Sequence, residues 1–452
     1  MAIFARRTIQ RLLDENRAFL TSEQTRRQVD ALNSPKAPYQ SISFEWEVVI
    51  VNAFGKLGNV LHEPDLGASR TIDVVFAPRS ELRHFLFADI TTVAKRGREK
   101  DNPIEYYRRE LIRRARKAKL DPDKFGMKVG GQQIGAQGDQ VMKLLLPHQR
   151  DAKRVFDGPF DLFLKACAAK PDQCHEYANR SDEVELEIAY DPSQRYFAIG
   201  GPAFDVAYSR TQNPIFNALK KKADHLKQAR ARRPSGIAIC AADLSLRPSS
   251  FANQGGSYDF PAIVNEFFRN HSSVDFVLAL EAGNTEYGFG SPPRPRLYSW
   301  LYLQEHSAND LTPAMIDCLS TLKDNMPPSI NSGINALYQL QDHEPNKGRS
   351  FAGGVTMSGN SIKMSSRLLG EILAGRISQE EIGAFHSATR QRPNIFEVFR
   401  RRGQTIEGVV IERQDDADDD WITFAFSEGQ DPAISKFVAK PKRLDDSESP
   451  SE

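Results

Sequence analysis

Residues 85–97, FLFADITTVAKRG, run an apolar strand straight into an aspartate, two threonines and then a lysine. A carboxylate inside a buried strand is costly unless something pairs with it. Any fold open to this chain must therefore bring a compensating group to Asp89, or leave it near a strand end with Thr92 and backbone amides as partners. On a strand, residues two apart share a face, so Asp89 and Thr91 point the same way, and Lys95 joins them if the strand runs that far. Asp73 lies sixteen residues earlier, inside the strand-like TIDVVFAP (71–78). Two adjacent strands can bring these aspartates together on one face, where a hard divalent cation would relieve their repulsion. Mg2+ prefers such oxygen ligands and keeps several waters. Taken alone, Asp73 has a plainer reading as a turn cap or a partner of Arg70.

The surrounding text alternates strands and helices, which predicts an α/β fold with a mixed central sheet and flanking helices. A helix, SFEWEVVIVNAFGKLG, precedes the strands NVLHE, TIDVVFAP and HFLFADITTV, and PRSELR is a plausible hairpin connection between the last two. Residues 96–212 read as a long insertion. The alternation then resumes with the helix NPIFNALKKKADHLKQAR, the strand GIAICAADLSL, the helix FPAIVNEFFRNH and the strand VDFVLALEA. The expected organisation is N-terminal helices over 1–40, the core over 41–291 with its insertion, and a partly helical region over 292–430. A polar tail over 431–452 is expected to be disordered.

The helix before the strands offers Glu45 and Glu47 beside an apolar stripe of Trp46, Val49, Ile50, Ala53 and Leu57. At 100° per residue Glu47 falls beside Phe54 and Val51, and Glu45 beside Asn52 and Lys56. Glu45 is thus expected to be solvated and Glu47 to lie among apolar groups, where a carboxylate needs a partner or a function.

The order helix with Glu, strand, strand with Asp, strand with an acidic triplet, helix, strand resembles the PD-(D/E)XK, or restriction-endonuclease-like, nucleases. Ile72-Asp73 stands where that family has Pro-Asp, and Asp89-Ile90-Thr91 where it has (D/E)-x-K. The resemblance covers roughly 41–95 and 213–243 and rests on short motifs. The stretches EWE and NP…ALKKKA also resemble an uncharacterised bacterial family, for which antiviral defence is the expected setting. The resemblance implies phosphodiester hydrolysis, with Asp73, Asp89 and Glu47 holding Mg2+ or Mn2+ and a lysine assisting the attacking water. Thr91 departs from this pattern, since it cannot act as a cation. Three lysines are candidate replacements. Lys95 lies just past the strand, and Lys220 and Lys222 flank the stripe Phe216, Leu219, Ala223 and Leu226 of the later helix. A flanking lysine can lay its stem on the core and reach over the sheet with its ammonium, although helix lysines are usually just a wet face.

Lys plus Arg number 60 and Asp plus Glu 59, so the whole chain is no basic nucleic-acid binder and any such role rests on local patches. One patch is the helix at 104–119, with Arg108, Arg109, Arg113, Arg114, Arg116, Lys117 and Lys119 around an apolar stripe. It is a candidate phosphate-contacting surface, with DNA expected in preference to RNA. Arg390, Arg392, Arg400, Arg401 and Arg402 form a second basic run. Each run has a plainer reading as a solvated face.

Other signals are weak. His62-Glu63 is a secondary metal candidate, Asp243 ends a predicted buried strand, and the acidic run 415–420 is a solubilising loop or a DNA mimic. Four scattered cysteines argue against a disulfide framework or a CxxC zinc site. Neither an apolar leader nor a membrane-length apolar run is evident, so a cytoplasmic location is expected. P-loop, GxGxxG, HExxH and GxSxG motifs are missing. The sequence therefore points to a Mg2+-dependent nuclease, acting alone, as a homodimer or with a defence-system partner. Its rival is a nuclease-like subunit that binds DNA or assembles without chemistry, and Thr91 is the best argument for it.

Overall fold

The computed structural model describes residues 3–34, 38–94, 103–136, 140–194, 196–202, 207, 209–248, 258–284, 295–305, 310–341, 355–376, 395–415, 417–431 and 433–434. The chain divides into two compact units, a larger one of residues 2–4 and 11–338 and a smaller one of residues 1, 5–10 and 339–452.

The chain opens with α1 (Arg6–Asn16) and α2 (Ser22–Leu32). The start of α2 is fixed by a capping box in which Thr21 and Gln24 satisfy each other's backbone amides. The long α3 (Pro38–Leu57) leads into β1 (Gly58–His62), β2 (Val74–Pro78) and β3 (Leu86–Val93). Gly58 allows the abrupt switch from helix to strand, because a Cβ there would sit 2.1 Å from the Ala77 carbonyl oxygen.

The insertion follows, with α4 (Ile104–Lys117), β4 (Phe125–Val129), β5 (Gly131–Ile134), β6 (Val141–Leu144), α5 (Ala152–Val155), α6 (Pro159–Ala169), β7 (His175–Arg180), β8 (Glu185–Tyr190) and β9 (Ala198–Gly200). Its sheet, in the order β7-β8-β4-β9, builds a core of its own from residues such as Tyr107, Phe125, Phe156, Phe160 and Ile188. The Gly/Gln-rich stretch forms the β5-β6 hairpin.

Then come α7 (Pro214–Gln228), β10 (Ser235–Ala241), α8 (Phe260–Asn270), β11 (Phe276–Asn284), β12 (Pro295–Leu303), α9 (Pro313–Thr321) and α10 (Gly333–Gln341). The central sheet runs β1-β2-β3-β10-β11-β12. Its β1-β2, β2-β3 and β11-β12 pairs are antiparallel, and β3-β10 and β10-β11 are parallel. Alternation along the strands separates two apolar faces. Phe87, Val93, Ile237, Ile239 and Val277 pack under α7 and α8. On the other face α3 docks, with Phe54 and Phe76 rings 4.9 Å apart and the Trp46 indole donating to the Ala241 carbonyl at 3.2 Å. This is a mixed α/β architecture.

The core extends beyond the expected limit at 291. Residues 295–303 pair with β11 from Asn284↔Pro295 to Phe276↔Leu303. The proline-rich text before them reads as a break, yet proline is tolerated at the first residue of a strand. The N-terminal residues 11–34 likewise belong to the larger unit rather than standing apart.

The smaller unit contains β13 (Val355–Ser358), β14 (Ser361–Ser365), α11 (Ser366–Leu373), α12 (Ile395–Arg401), β15 (Ile406–Glu412) and β16 (Trp421–Phe426). Its antiparallel sheet runs β13-β14-β16-β15. The core gathers Ile362, Met364, Leu368, Phe399 and Phe426, with the Phe399 and Phe426 rings stacked at 4.1 Å.

Candidate active site

The β2-β3 register pairs Val74 with Ala88 and so sets Asp73, the residue just before β2, beside Asp89. The two are laced through their backbones. The Asp73 N–H donates to Asp89 Oδ1 at 3.3 Å, and the Ile90 N–H donates to Asp73 Oδ2 at 2.6 Å. Helix α7 crosses above them. Asn213 caps its N-terminus by accepting from the Phe216 N–H at 2.8 Å, Pro214 occupies the first turn, and Ile215, Phe216, Leu219, Ala223 and Leu226 bury its inner stripe. That seating turns one flank of the helix towards the aspartates.

From this flank, Lys222 Nζ lies 2.9 Å from Asp73 Oδ2 and 3.6 Å from Asp89 Oδ1. His225, one turn further along, places Nδ1 2.6 Å from Asp89 Oδ2. Residues three apart are neighbours on a helix surface, so one flank supplies both groups. The Asp89 side chain is 0% exposed, whereas those of Asp73, Lys222 and His225 are 19%, 20% and 24% exposed. The cluster is therefore closed beneath Asp89 and open on its other side.

Burial is the largest influence on Asp89 and raises its pKa, and the Asp73 charge adds to it. Lys222 and His225 oppose them, and the carboxyl settles at about 6. Burial would lower Lys222, but the Asp73 and Asp89 charges outweigh it and hold the ammonium above its ordinary value.

Glu47 stands in a second layer. Its Oε1 accepts from Gln28 Nε2 at 3.0 Å and lies 3.3 Å from His62 Nε2. His62 Nδ1–H donates to the Asp73 carbonyl at 2.8 Å. Burial alone would depress the His62 pKa, and the hydrogen bond and charge of Glu47 reverse the sign and raise it. Glu47 thus reaches Asp73 through an imidazole rather than directly.

The environments expected for the two glutamates are exchanged. Glu45 is 3% exposed, and its Oε2 accepts from the Ile3 and Phe4 N–H groups at 3.0 and 3.4 Å. The Glu47 side chain is 19% exposed. Rotation around one helix misassigned them because α3 is enclosed on several sides: Val48, Val49, Ile50, Val51, Ala53 and Phe54 are all buried. Asn52, expected on a wet side, is buried too and bonds to Glu15 and Asn16.

The other candidates fall elsewhere. Lys220 is exposed, close enough to His271 to contribute to that imidazole's lowered pKa, whose main cause is burial. Lys95 lies outside the described residues. Glu63 forms an ion pair with Arg27, and Asp243 is buried with the Tyr39 hydroxyl donating to it at 3.4 Å. On α4, Arg109, Arg116 and Lys117 are exposed, as is Arg113, which pairs with Glu110. Arg114 is built into the insertion. It pairs with Glu110 at 2.8 Å, donates to the Phe156 carbonyl at 2.6 Å and lies over the Phe156 ring. Arg108 sits half-buried, 5.8 Å from the Phe197 ring centroid. In the second basic run Arg400 and Arg401 pair with Glu397, and Arg390 and Arg392 lie outside the described residues.

Sequence reasoning missed His225 and Gln28. His225 had a readable signal, since it follows Lys222 by three residues and shares its flank. Gln28 had none, because its partner Glu47 is met only when α2 packs on α3.

Among the described residues no group of three or more His, Cys, Asp or Glu side chains is gathered around a common metal position. The two carboxylates are a hard-oxygen pair on a half-open site, which fits a Mg2+ or Mn2+ ion that keeps most of its waters. An ammonium between two carboxylates is in turn suited to a substrate whose reacting group gathers negative charge. Among the described residues no helix is long and apolar enough to cross a membrane. No protein-family model, curated protein or solved structure matches the chain.

Proposed function

We propose that this chain is a metal-dependent nuclease with a restriction-endonuclease-like core, hydrolysing phosphodiester bonds in DNA in preference to RNA. One observation carries the reading: the Asp73 and Asp89 carboxylates converge on the Lys222 ammonium, at 2.9 and 3.6 Å. They do so in the element order α3-β1-β2-β3 and, after the insertion α4 to β9, α7-β10, on the sheet face that also bears Thr91. The lysine absent from the strand is supplied by the helix above it.

Asp73 and Asp89 would hold Mg2+ or Mn2+. The bound ion supplies a nucleophilic water at neutral pH and neutralises charge on the phosphate. The chain's own residues act around it. Lys222 places positive charge where the phosphate gathers negative charge. His225 holds Asp89 Oδ2, and the Ile90 N–H fixes Asp73. Glu47 and His62 brace the strand entry from behind. The exposed cations of α4, Arg109, Arg116 and Lys117, offer sequence-independent phosphate contacts.

Incubation of the full chain with supercoiled plasmid, single-stranded DNA and RNA, in Mg2+ and in EDTA, tests this. Cleavage is expected in Mg2+, absent in EDTA, and lost in Asp73→Asn and Asp89→Asn variants that keep the wild-type circular dichroism. Undiminished cleavage by both variants would overturn the assignment. Metal-independent DNA binding without cleavage by the wild type would instead favour a silent nuclease-like subunit, the reading that Thr91 suggests.

A further inference from the structure

The Asp73 carbonyl is held by two donors, the Glu63 N–H at 3.1 Å and the His62 Nδ1–H at 2.8 Å. Asp73 lies one residue outside β2, where the ladder with β1 ends at the pair His62↔Val74. The two bonds extend the hold on the chain to Asp73 itself. Helix α2 grips both donors in turn. Gln24 Nε2 donates to the His62 carbonyl at 3.0 Å, and Arg27 forms an ion pair with Glu63. Gln28 Nε2 donates at 3.0 Å to Glu47 Oε1, which lies 3.3 Å from His62 Nε2.

Packing alone does not account for Gln28. The residue is fully buried, and among the described residues its Oε1 has no hydrogen-bond partner. A buried polar atom left unpaired costs stability, and a methionine of similar length would fill the same space between α2 and α3 without that cost. The glutamine supplies what an apolar residue cannot, an N–H aimed at Glu47. Its orientation follows, since turning the amide over would set Oε1 against the carboxylate.

We propose that Gln28 is a positioning residue of the metal site, acting through Glu47 and His62 on Asp73 and so setting the affinity for Mg2+ or Mn2+. The inference rests on the nuclease reading above, in which Asp73 and Asp89 hold the ion. The Gln28 N–H fixes the Glu47 carboxylate, the carboxylate fixes the His62 ring, and the ring fixes the main chain from which the Asp73 side chain extends. None of the three side chains touches the ion. A cation that keeps most of its waters has few protein ligands, so displacing one of them weakens its hold markedly.

Mn2+ binding to the full chain without substrate, followed by electron paramagnetic resonance, tests this. Wild type is expected to bind, and Gln28→Met to bind about tenfold more weakly, the lower end of the usual loss when an outer partner of a metal ligand is removed. His62→Asn keeps an N–H for the Asp73 carbonyl in place of Nδ1 but loses the atom that faces Glu47. In that background Gln28→Met should cost nothing further, because residues acting in one chain are not additive. Glu47→Gln should behave as Gln28→Met does in both backgrounds, and it carries the test if Gln28→Met fails the circular dichroism check of folding. A glutamine that serves only the fold would lower the melting temperature in EDTA and leave Mn2+ affinity unchanged. That outcome overturns the proposal and leaves the nuclease reading intact. So does a full further loss from Glu47→Gln in the His62→Asn background, which would show that Glu47 reaches the ion itself. A wild type that binds no Mn2+ overturns both.

Discussion

Lys222 and Asp73 are 149 residues apart in sequence and 2.9 Å apart in space, and their contact joins α7 to the strand edge that carries both aspartates. Paired carboxylates repel in a site that excludes water on one side, and the ammonium between them offsets that repulsion. In the proposed reaction the same positive charge would meet the substrate phosphate, so one residue would both offset the carboxylate pair and serve the substrate.

Replacing Lys222 by Met should therefore affect both properties. Cleavage is expected to fall by about 10²–10³-fold, the usual loss when one charge-stabilising group is removed. The melting temperature in EDTA should also fall, because Asp73 and Asp89 then face each other unscreened. Added Mg2+ should recover much of that loss. A melting temperature unchanged in EDTA would show that the ammonium does not offset the carboxylate pair.

His225 lowers the Asp89 pKa, against the upward push of burial and of Asp73. Its removal in His225→Ala should move the acid limb of the cleavage profile to higher pH. A pH–rate profile of both proteins reads this directly. An acid limb at the wild-type position would separate His225 from the ionisation of Asp89.

Asp89 titrates at about 6 in the folded chain, above an ordinary aspartate. The folded state therefore binds more protons than the unfolded state between about pH 4 and 6. The stability this group contributes is present below that window and is lost as pH rises through it. Asp89→Asn should remove the dependence. Relative to wild type, the variant is expected to gain stability as pH rises from about 4 to above 6. Denaturant midpoints measured across this range check the sign.

Glu45 serves the fold, not the site. Glu45→Ala removes the acceptor for two buried amides, Ile3 and Phe4. Each donor left unsatisfied costs about 1–3 kcal/mol, so chemical denaturation should show a clear loss of stability. Cleavage per folded molecule is expected to stay near wild type. A selective loss of turnover with stability intact would place Glu45 at the site after all.

Local pattern was legible before any tertiary contact was known. Period-two and period-3.6 patterns placed β3, α3, α4 and α7, and the carboxylate in an apolar strand required a partner for Asp89. Asp73 and Glu47 were its candidate partners, and Lys222 was one of three lysines offered, with Lys95 and Lys220, in place of the strand lysine that the nuclease resemblance implies. Tertiary structure decided what local periodicity does not encode. The β2-β3 register set Asp73 beside Asp89, and the seating of α7 chose Lys222 over Lys220 and brought His225 with it. Enclosure of α3 between the sheet, α2 and the segment at Ile3 exchanged the roles of Glu45 and Glu47. A helix or strand pattern reports which face is buried, whereas the partner across that face is chosen by contacts between distant segments. The neighbours of Asp89 were chosen at that second level.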